Sequence, residues 1–214
     1  MPSNEIVKIK TGVDNLYLRV AKGHFASPHA HTNYYIDVTA QKTRLTEAKA
    51  VAHKLCSGYN YATTIIDTIL CLDGTEVIGT CLANELTKNS FVNINSHQTI
   101  YVVTPEVVNN SQLIFRDNIV PMIKGKHVLV LAVSVATGAT VANAIEAISY
   151  YGGTTVGIAA MFSTKETCYG YNVNSVFNPT DLPGYFSLSS HECPLCKKGE
   201  KIDALINSHG FSKL

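Results

Sequence analysis

The chain has 214 residues, 46% of them hydrophobic, enough for one substantial domain with a small appendage. Seventeen basic and sixteen acidic residues give a formal charge of +1, and the basic residues are scattered rather than striped, which excludes an electrostatic case for nucleic acid and leaves small anions open. No apolar run approaches the ~20 residues of a membrane span and the N-terminus lacks a basic lead before an apolar core, so the expected setting is cytoplasmic, with no membrane partner.

No Pro/Gly/Ser linker, low-complexity tract or internal repeat divides the sequence. The expected organisation is an N-terminal extension over 1–40, an α/β core over 41–165 and a C-terminal extension over 166–214. Short alternating segments at 6–9, 16–20 and 34–38 read as strands. Residues 43–56 read as a helix, because Leu45, Ala48, Val51, Ala52 and Leu55 recur at helical spacing. An apolar strand is expected at 65–71, followed by a loop through Asp73, Gly74, Thr75 and Glu76 and then a helix, the whole unit closing by residue 88. Residues 89–118 read as a mobile connection between two halves of a sheet, with strand candidates at 99–103 and 112–115. Cys56, Cys71 and Cys81 fall inside these patterns and are expected as buried thiols.

The stretch 127–162 carries the most information. Residues 128–133 form an almost unbroken apolar run, as in a parallel strand buried on both faces. The run ends at Ala136, Thr137, Gly138, Ala139 and Thr140, which bring small and hydroxyl-bearing side chains to the mouth of a helix with Val141, Ala144, Ile145 and Ile148 on one face. Free backbone N–H groups and the positive end of the helix dipole converge at such a mouth, so a phosphate can be held without a charged side chain. Gly152 and Gly153 stop the helix, and 154–161 returns as a second apolar strand.

This unit resembles the ribose-phosphate signature of type I phosphoribosyltransferases: an apolar run, an acidic pair, two mostly small or apolar residues, then T-G-x-T or similar. Val128, Leu129, Val130 and Leu131 match the run, and 136–140 match the phosphate loop. Ala132 and Val133 stand where the family has its acidic pair, whose carboxylates hold the two ribose hydroxyls of phosphoribosyl pyrophosphate (PRPP) beside a developing oxocarbenium ion. Residues 23–39 are similar to the N-terminal part of orotate phosphoribosyltransferases, with His29 and His31 in a turn where the family places a basic residue. Asp73, Gly74, Thr75 and Glu76 fall where the family has its pyrophosphate loop; local physics alone reads them as a turn with Thr75 as the helix N-cap. Glu76 would repel a pyrophosphate unless a metal ion intervened. The family's lysine- and glycine-rich lid corresponds to 89–118, which contains neither residue type.

The resemblance implies an α/β protein of the type I phosphoribosyltransferase fold, a mainly parallel sheet with helices on both faces plus a small hood from the termini, assembled as a homodimer. It implies a phosphate-bearing ligand such as PRPP, ribose 5-phosphate or a nucleotide, with Mg²⁺ if the protein is active. With the acidic pair and the lid both missing, the expectation is a relative of orotate phosphoribosyltransferase with altered or lost transferase activity. The alternatives are an active enzyme transferring ribose 5-phosphate from PRPP to a base, and a structural dimer subunit.

The C-terminal extension holds His191, Cys193 and Cys196 in the order H-x-C-x-x-C, a half-site for Zn²⁺ that needs a fourth ligand from Cys168, His209 or a more distant residue. A redox pair and a plain turn with buried thiols, leading into an amphipathic helix at 201–208, are the competing readings. His24, His29 and His31 raise a similar question. His29 and His31 alternate so that both could meet one ion, but without a carboxylate or cysteine nearby in sequence, polar surface or a hydrogen-bonded core position is favoured.

Overall fold

The computed structural model describes residues 6–10, 12, 16–59, 65–88, 95, 99–108 and 112–214. In chain order they form β1 (Val7–Lys10), β2 (Tyr17–Ala26), β3 (His31–Asp37), α1 (Thr39–Thr43), α2 (Leu45–Cys56), β4 (Thr68–Cys71), α3 (Glu76–Leu86), β5 (Tyr101–Val103), β6 (Glu106–Val107) and β7 (Leu113–Ile114). After these come β8 (His127–Val135), α4 (Ala139–Tyr150), β9 (Thr154–Ser163), β10 (Thr167–Cys168), β11 (Tyr171–Phe177), β12 (Ser187–Leu188), α5 (Pro194–Lys197), β13 (Ala204–Asn207) and β14 (Gly210–Lys213). They divide into two units, one of residues 41–176 and one of 1–40 with 177–214.

The larger unit is built on a sheet of order β10-β11-β9-β8-β4-β5, in which β5, β4, β8 and β9 run parallel. Every residue of β4 is buried, as are residues 128–133 of β8, which explains why these strands read as continuous apolar runs. Leu70, Val128, Val130, Ala132, Ile158 and Ala160 share an apolar cluster with Val141, Ala144, Ala147 and Ile148 of α4. Residues of the other parity meet α3: a Cβ on Gly79 would stand 2.3 Å from Cys71 Sγ and 3.3 Å from Val102 Cγ1. Helices therefore cover both faces, and α2 packs along α3.

Because Gly79 touches the sheet, adding one methyl forces apart an interface without a flexible side chain to yield. Gly79→Ala is expected to destabilise the protein by about 1–3 kcal/mol despite the better helix propensity of alanine. Chemical denaturation checks this. Combining it with Cys71→Ala, which removes the clashing sulfur, should recover part of the loss as a non-additive term.

The loop-helix-strand unit closes as its sequence suggests. Gly152 adopts φ 78°, and the N–H groups of Gly152 and Gly153 donate to the carbonyls of Ser149 and Ile148, capping the end of α4 before β9 begins. Residues 167–176 add β10 and most of β11 to this sheet, although they lie beyond the 165 boundary expected from sequence. β5 and β7 fall within the strand candidates at 99–103 and 112–115, and β5 takes the sheet edge beside β4. Residues 89–94, 96–98 and 109–111 of the expected mobile connection lie outside the described residues.

The terminal unit is a sheet of order β12-β3-β2-β13-β14, with β1 also paired to β2. The helix expected at 201–208 is instead strand β13 and its turn into β14. Ala204 pairs with Phe25 and Leu205 with Ala26 along β2, and burial alternates, Ala204 being buried and Leu205 exposed. Pairing with a waiting strand overrides a short pattern that also fits a helix. In β2 the register to β3 shifts between Lys22 and Phe25, so Gly23 and His24 together oppose Asn33 in a β-bulge. Asp203 holds the bulge: its carboxylate accepts from the His24 N–H at 2.8 Å, and its own N–H donates to the His24 carbonyl at 2.8 Å. One apolar cluster of this unit, among the described residues, joins Ala21, Phe25, Tyr35 and Ala204 with Ile206 packed against it, and Leu16, Leu18, Val20 and Leu182 are also buried.

Candidate functional site

Strand β8 delivers the phosphate loop at its carboxyl end. Gly138 takes φ 90°, a left-handed conformation that turns the chain into α4, and no side chain caps the helix that begins at Ala139. The Thr137 hydroxyl accepts from the Ala139 N–H at 3.3 Å, and the side chains of Thr137 and Thr140 are exposed. From beneath, β9 braces the loop. The Thr164 N–H donates to the Val135 carbonyl at 3.0 Å, its hydroxyl to the Ala136 carbonyl at 3.3 Å, and the Ser163 hydroxyl to the Val135 carbonyl at 3.3 Å. Behind Gly138 lies Cys168, whose sulfur would be 2.7 Å from an added Cβ. The arrangement is an uncharged, hydrogen-bonded loop at a helix start, where the Ala139 N–H is taken by Thr137 and the N–H groups that follow in the first turn have no earlier helical carbonyl to meet.

The second loop opens beside it, because Cys71 of β4 is in parallel register with Leu131 of β8. Asp73 and Gly74 are both left-handed, at φ 58° and 77°. For a non-glycine residue that conformation costs about 1–2 kcal/mol and marks a constrained turn. Thr75 occupies the N-cap position of α3 without capping it: its hydroxyl donates to the Leu72 carbonyl at 2.8 Å and reaches the Leu131 carbonyl at 3.3 Å. That bridge fixes one loop against the other. The Lys42 ammonium donates to the Asp73 carbonyl at 2.8 Å, which places a cation at this loop that no motif in the sequence signalled. Burial first, and then the Glu76 charge, push the Cys71 thiol beneath the loop up to about 12.

The positions of the acidic pair are apolar in space as well as in sequence. Ala132 is 0% exposed within the α4 cluster, and Val133 is 9% exposed on the strand's other side. Arg116, the one Lys or Arg in 89–118, is held by Glu106 through a pair of contacts at 2.5 and 2.9 Å.

Of the sequence-derived zinc candidates, the structure brings together Cys193 and Cys196 but not His191, which is exposed and outside the cluster. The remaining partners are His24 and His31. All four ligand atoms lie within 4.8 Å of one another. His24 Nε2 stands 3.1 Å from His31 Nδ1 and 3.6 Å from each sulfur, and His31 Nδ1 is 3.2 Å from Cys196 Sγ. Burial, and then the neighbouring His24, lower the His31 pKa below the usual histidine value. His29 sits exposed in the turn before β3 rather than beside His31, and Cys168 lies behind the phosphate loop. His24 and His31 stand among the sequence candidates but apart from the cysteines, because His24 reaches the cluster through a bulge that has no local signature.

No protein-family model and no curated protein sequence matches the chain. Solved structures do. The orotate phosphoribosyltransferase of Mycobacterium tuberculosis H37Rv aligns with a TM-score of 0.52 at 17% identity, over 78% of this chain and 93% of its own. That of Aeropyrum pernix aligns with a TM-score of 0.53 at 16% identity, over 76% and 90%. The UMP synthase of Leishmania donovani gives a TM-score of 0.55 at 19% identity over 76% of this chain, which corresponds to 34% of the longer protein. The chain therefore has the type I phosphoribosyltransferase fold, as its phosphate-loop unit suggested. Among the described residues no helix is long and apolar enough to cross a membrane.

Proposed function

We propose that the protein binds a phosphorylated ribose or a nucleotide at the 136–140 loop and has lost, or strongly altered, the transferase chemistry of its structural neighbours. The observation that carries this reading is the contrast at the end of β8: a braced loop with a left-handed Gly138, a few residues after an apolar Ala132-Val133 pair. Phosphate recognition needs only the backbone and helix dipole. Stabilising a cationic ribosyl centre needs charge fixed beside it, and neither side chain offers any. The orotate phosphoribosyltransferases and UMP synthase among the structural neighbours point to PRPP, ribose 5-phosphate or a pyrimidine nucleotide as the ligand class.

For Mg²⁺ the second loop offers Asp73 and Glu76 as hard oxygen donors. There it would neutralise a pyrophosphate that Glu76 alone repels, with the Lys42 ammonium nearby. Positions 132 and 133 add no donor on the ribose side. Assembly as a homodimer belongs to the same reading, and a monomeric mass by sedimentation at micromolar concentration would remove it.

A thermal-shift panel of PRPP, ribose 5-phosphate, orotate and nucleoside monophosphates, with and without Mg²⁺, tests the ligand class. A bound phosphate ester at about a hundred times its Kd should raise Tm by roughly 5 °C or more, whereas orotate alone should not. No shift with any phosphate-bearing compound would overturn the proposal.

A further inference from the structure

We propose that His24, His31, Cys193 and Cys196 form a closed, four-ligand zinc site that staples the terminal unit together, independently of any ligand at the phosphate loop. The first argument is metrical. Zinc bonds of about 2.0–2.1 Å to nitrogen and about 2.3 Å to sulfur, in a tetrahedron, imply edges of about 3.3 Å between nitrogens, about 3.6 Å between nitrogen and sulfur and about 3.8 Å between sulfurs. The 3.6 Å from His24 Nε2 to each cysteine equals the nitrogen–sulfur edge, and the 3.1 Å from His24 Nε2 to His31 Nδ1 and 3.2 Å from His31 Nδ1 to Cys196 fall within about 0.4 Å of theirs, so a small outward shift of His31 completes the tetrahedron. Two nitrogens and two sulfurs in a tetrahedral set select zinc over the hard cations.

The second argument is the orientation of His24. Its Nδ1 lies 2.9 Å from the Glu200 carbonyl, which can only accept, so Nδ1 carries the proton and Nε2 presents its lone pair to His31 and both sulfurs. A backbone carbonyl behind a histidine is the outer contact that orients a metal ligand and sets its tautomer. His24 is 2% exposed, reaches this place from the β2 bulge, and the bulge is held by Asp203. Gly23 is required beside it, since a Cβ there would stand 2.6 Å from the Asp203 carboxylate.

The third argument is the form of the cysteine pair. Cys193 precedes the one-turn helix Pro194–Lys197, and Gly199, at φ 73°, closes the knuckle by donating to the Cys196 carbonyl at 2.9 Å. C-x-x-C on such a turn aims both sulfurs at one point. The ligands thus come from β2, the first residue of β3 and the C-terminal knuckle, segments widely separated in sequence. A cross-link of that kind ties β2 and β3 to the C-terminal knuckle, adding to the apolar packing of the unit.

The test uses the intact chain expressed in zinc-supplemented medium and desalted. Elemental analysis should find one zinc per chain, and cobalt substitution should give thiolate-to-cobalt charge-transfer absorption with tetrahedral ligand-field bands. Cys196→Ser and His31→Ala should lose the metal, and His191→Ala should retain it. Should a variant fail to fold, the wild-type protein supplies a second readout: a strong chelator should lower its Tm and added zinc should restore it. Zinc far below one per chain in the wild type, retention of the metal by both ligand variants, or a Tm indifferent to chelation despite release of the metal would each overturn the proposal.

Discussion

Incubated with PRPP, Mg²⁺ and orotate, the purified protein is expected to consume PRPP at or near the background rate. Loss of one preorganised charged group typically costs about a hundredfold to a thousandfold in rate, and groups acting on one transition state fail together. Here Ala132 and Val133 stand at the positions where the resembled family has its acidic pair, and the one Lys or Arg between 89 and 118, Arg116, is tied to Glu106. The structure also shows why restoring the pair is not simple. Ala132 is 0% exposed among the side chains under α4, so Ala132→Glu would bury a carboxylate in an apolar cluster, costing roughly 3 kcal/mol or more unless it protonates. Val133→Asp, at a position that keeps 9% exposure, is the milder change and should strengthen ribose 5-phosphate binding without restoring turnover. Robust Mg²⁺-dependent formation of orotidine monophosphate by the unmodified protein would sink this reading and assign the charge handling to Asp73, Glu76 and Lys42.

What the sequence made legible divides along physical lines. The β8-α4-β9 unit was readable because each of its parts has a local signature: an apolar run buried on both faces, a glycine that must be left-handed, and a glycine pair ending a helix. The β4 loop was readable in position but not in detail. Thr75 was expected to cap α3, whereas its hydroxyl spans to the Leu131 carbonyl, a contact that exists only once two parallel strands are in register. Lys42 escaped for the same reason, since it meets Asp73 across 31 positions of sequence.

The terminal unit resisted most. Residues 201–208 fit a helix about as well as a strand, and only the free edge of β2 decided between them. The zinc candidates show the same limit from another side. C-x-x-C spacing located two ligands, and proximity in sequence then suggested His191, but a bulge in β2 carries His24 to the knuckle from 169 positions away.

Gly138→Val is expected to abolish stabilisation by ribose 5-phosphate. The new side chain meets two obstacles at once. A β-branched residue at φ 90° pays roughly 1–2 kcal/mol for the left-handed conformation, and its Cβ would stand 2.7 Å from Cys168 Sγ, with the Tyr169 ring 3.4 Å away. Relief requires the loop to move outward, into the space a phosphate would occupy. Because this variant also lowers Tm, Thr137→Glu separates folding from binding. Thr137 is exposed two residues before the start of α4, where a carboxylate interacts favourably with the helix dipole and can replace the hydroxyl as acceptor for the Ala139 N–H, so Tm should hold or rise by the equivalent of about 0.3–1 kcal/mol. The same charge repels a phosphate about 4 Å away by about 1 kcal/mol in water and about 4 kcal/mol in the partly desolvated loop. The ligand-induced Tm shift should therefore fall at least several-fold in Thr137→Glu while the unliganded protein is unharmed. An undiminished shift in both variants would place the phosphate away from this loop.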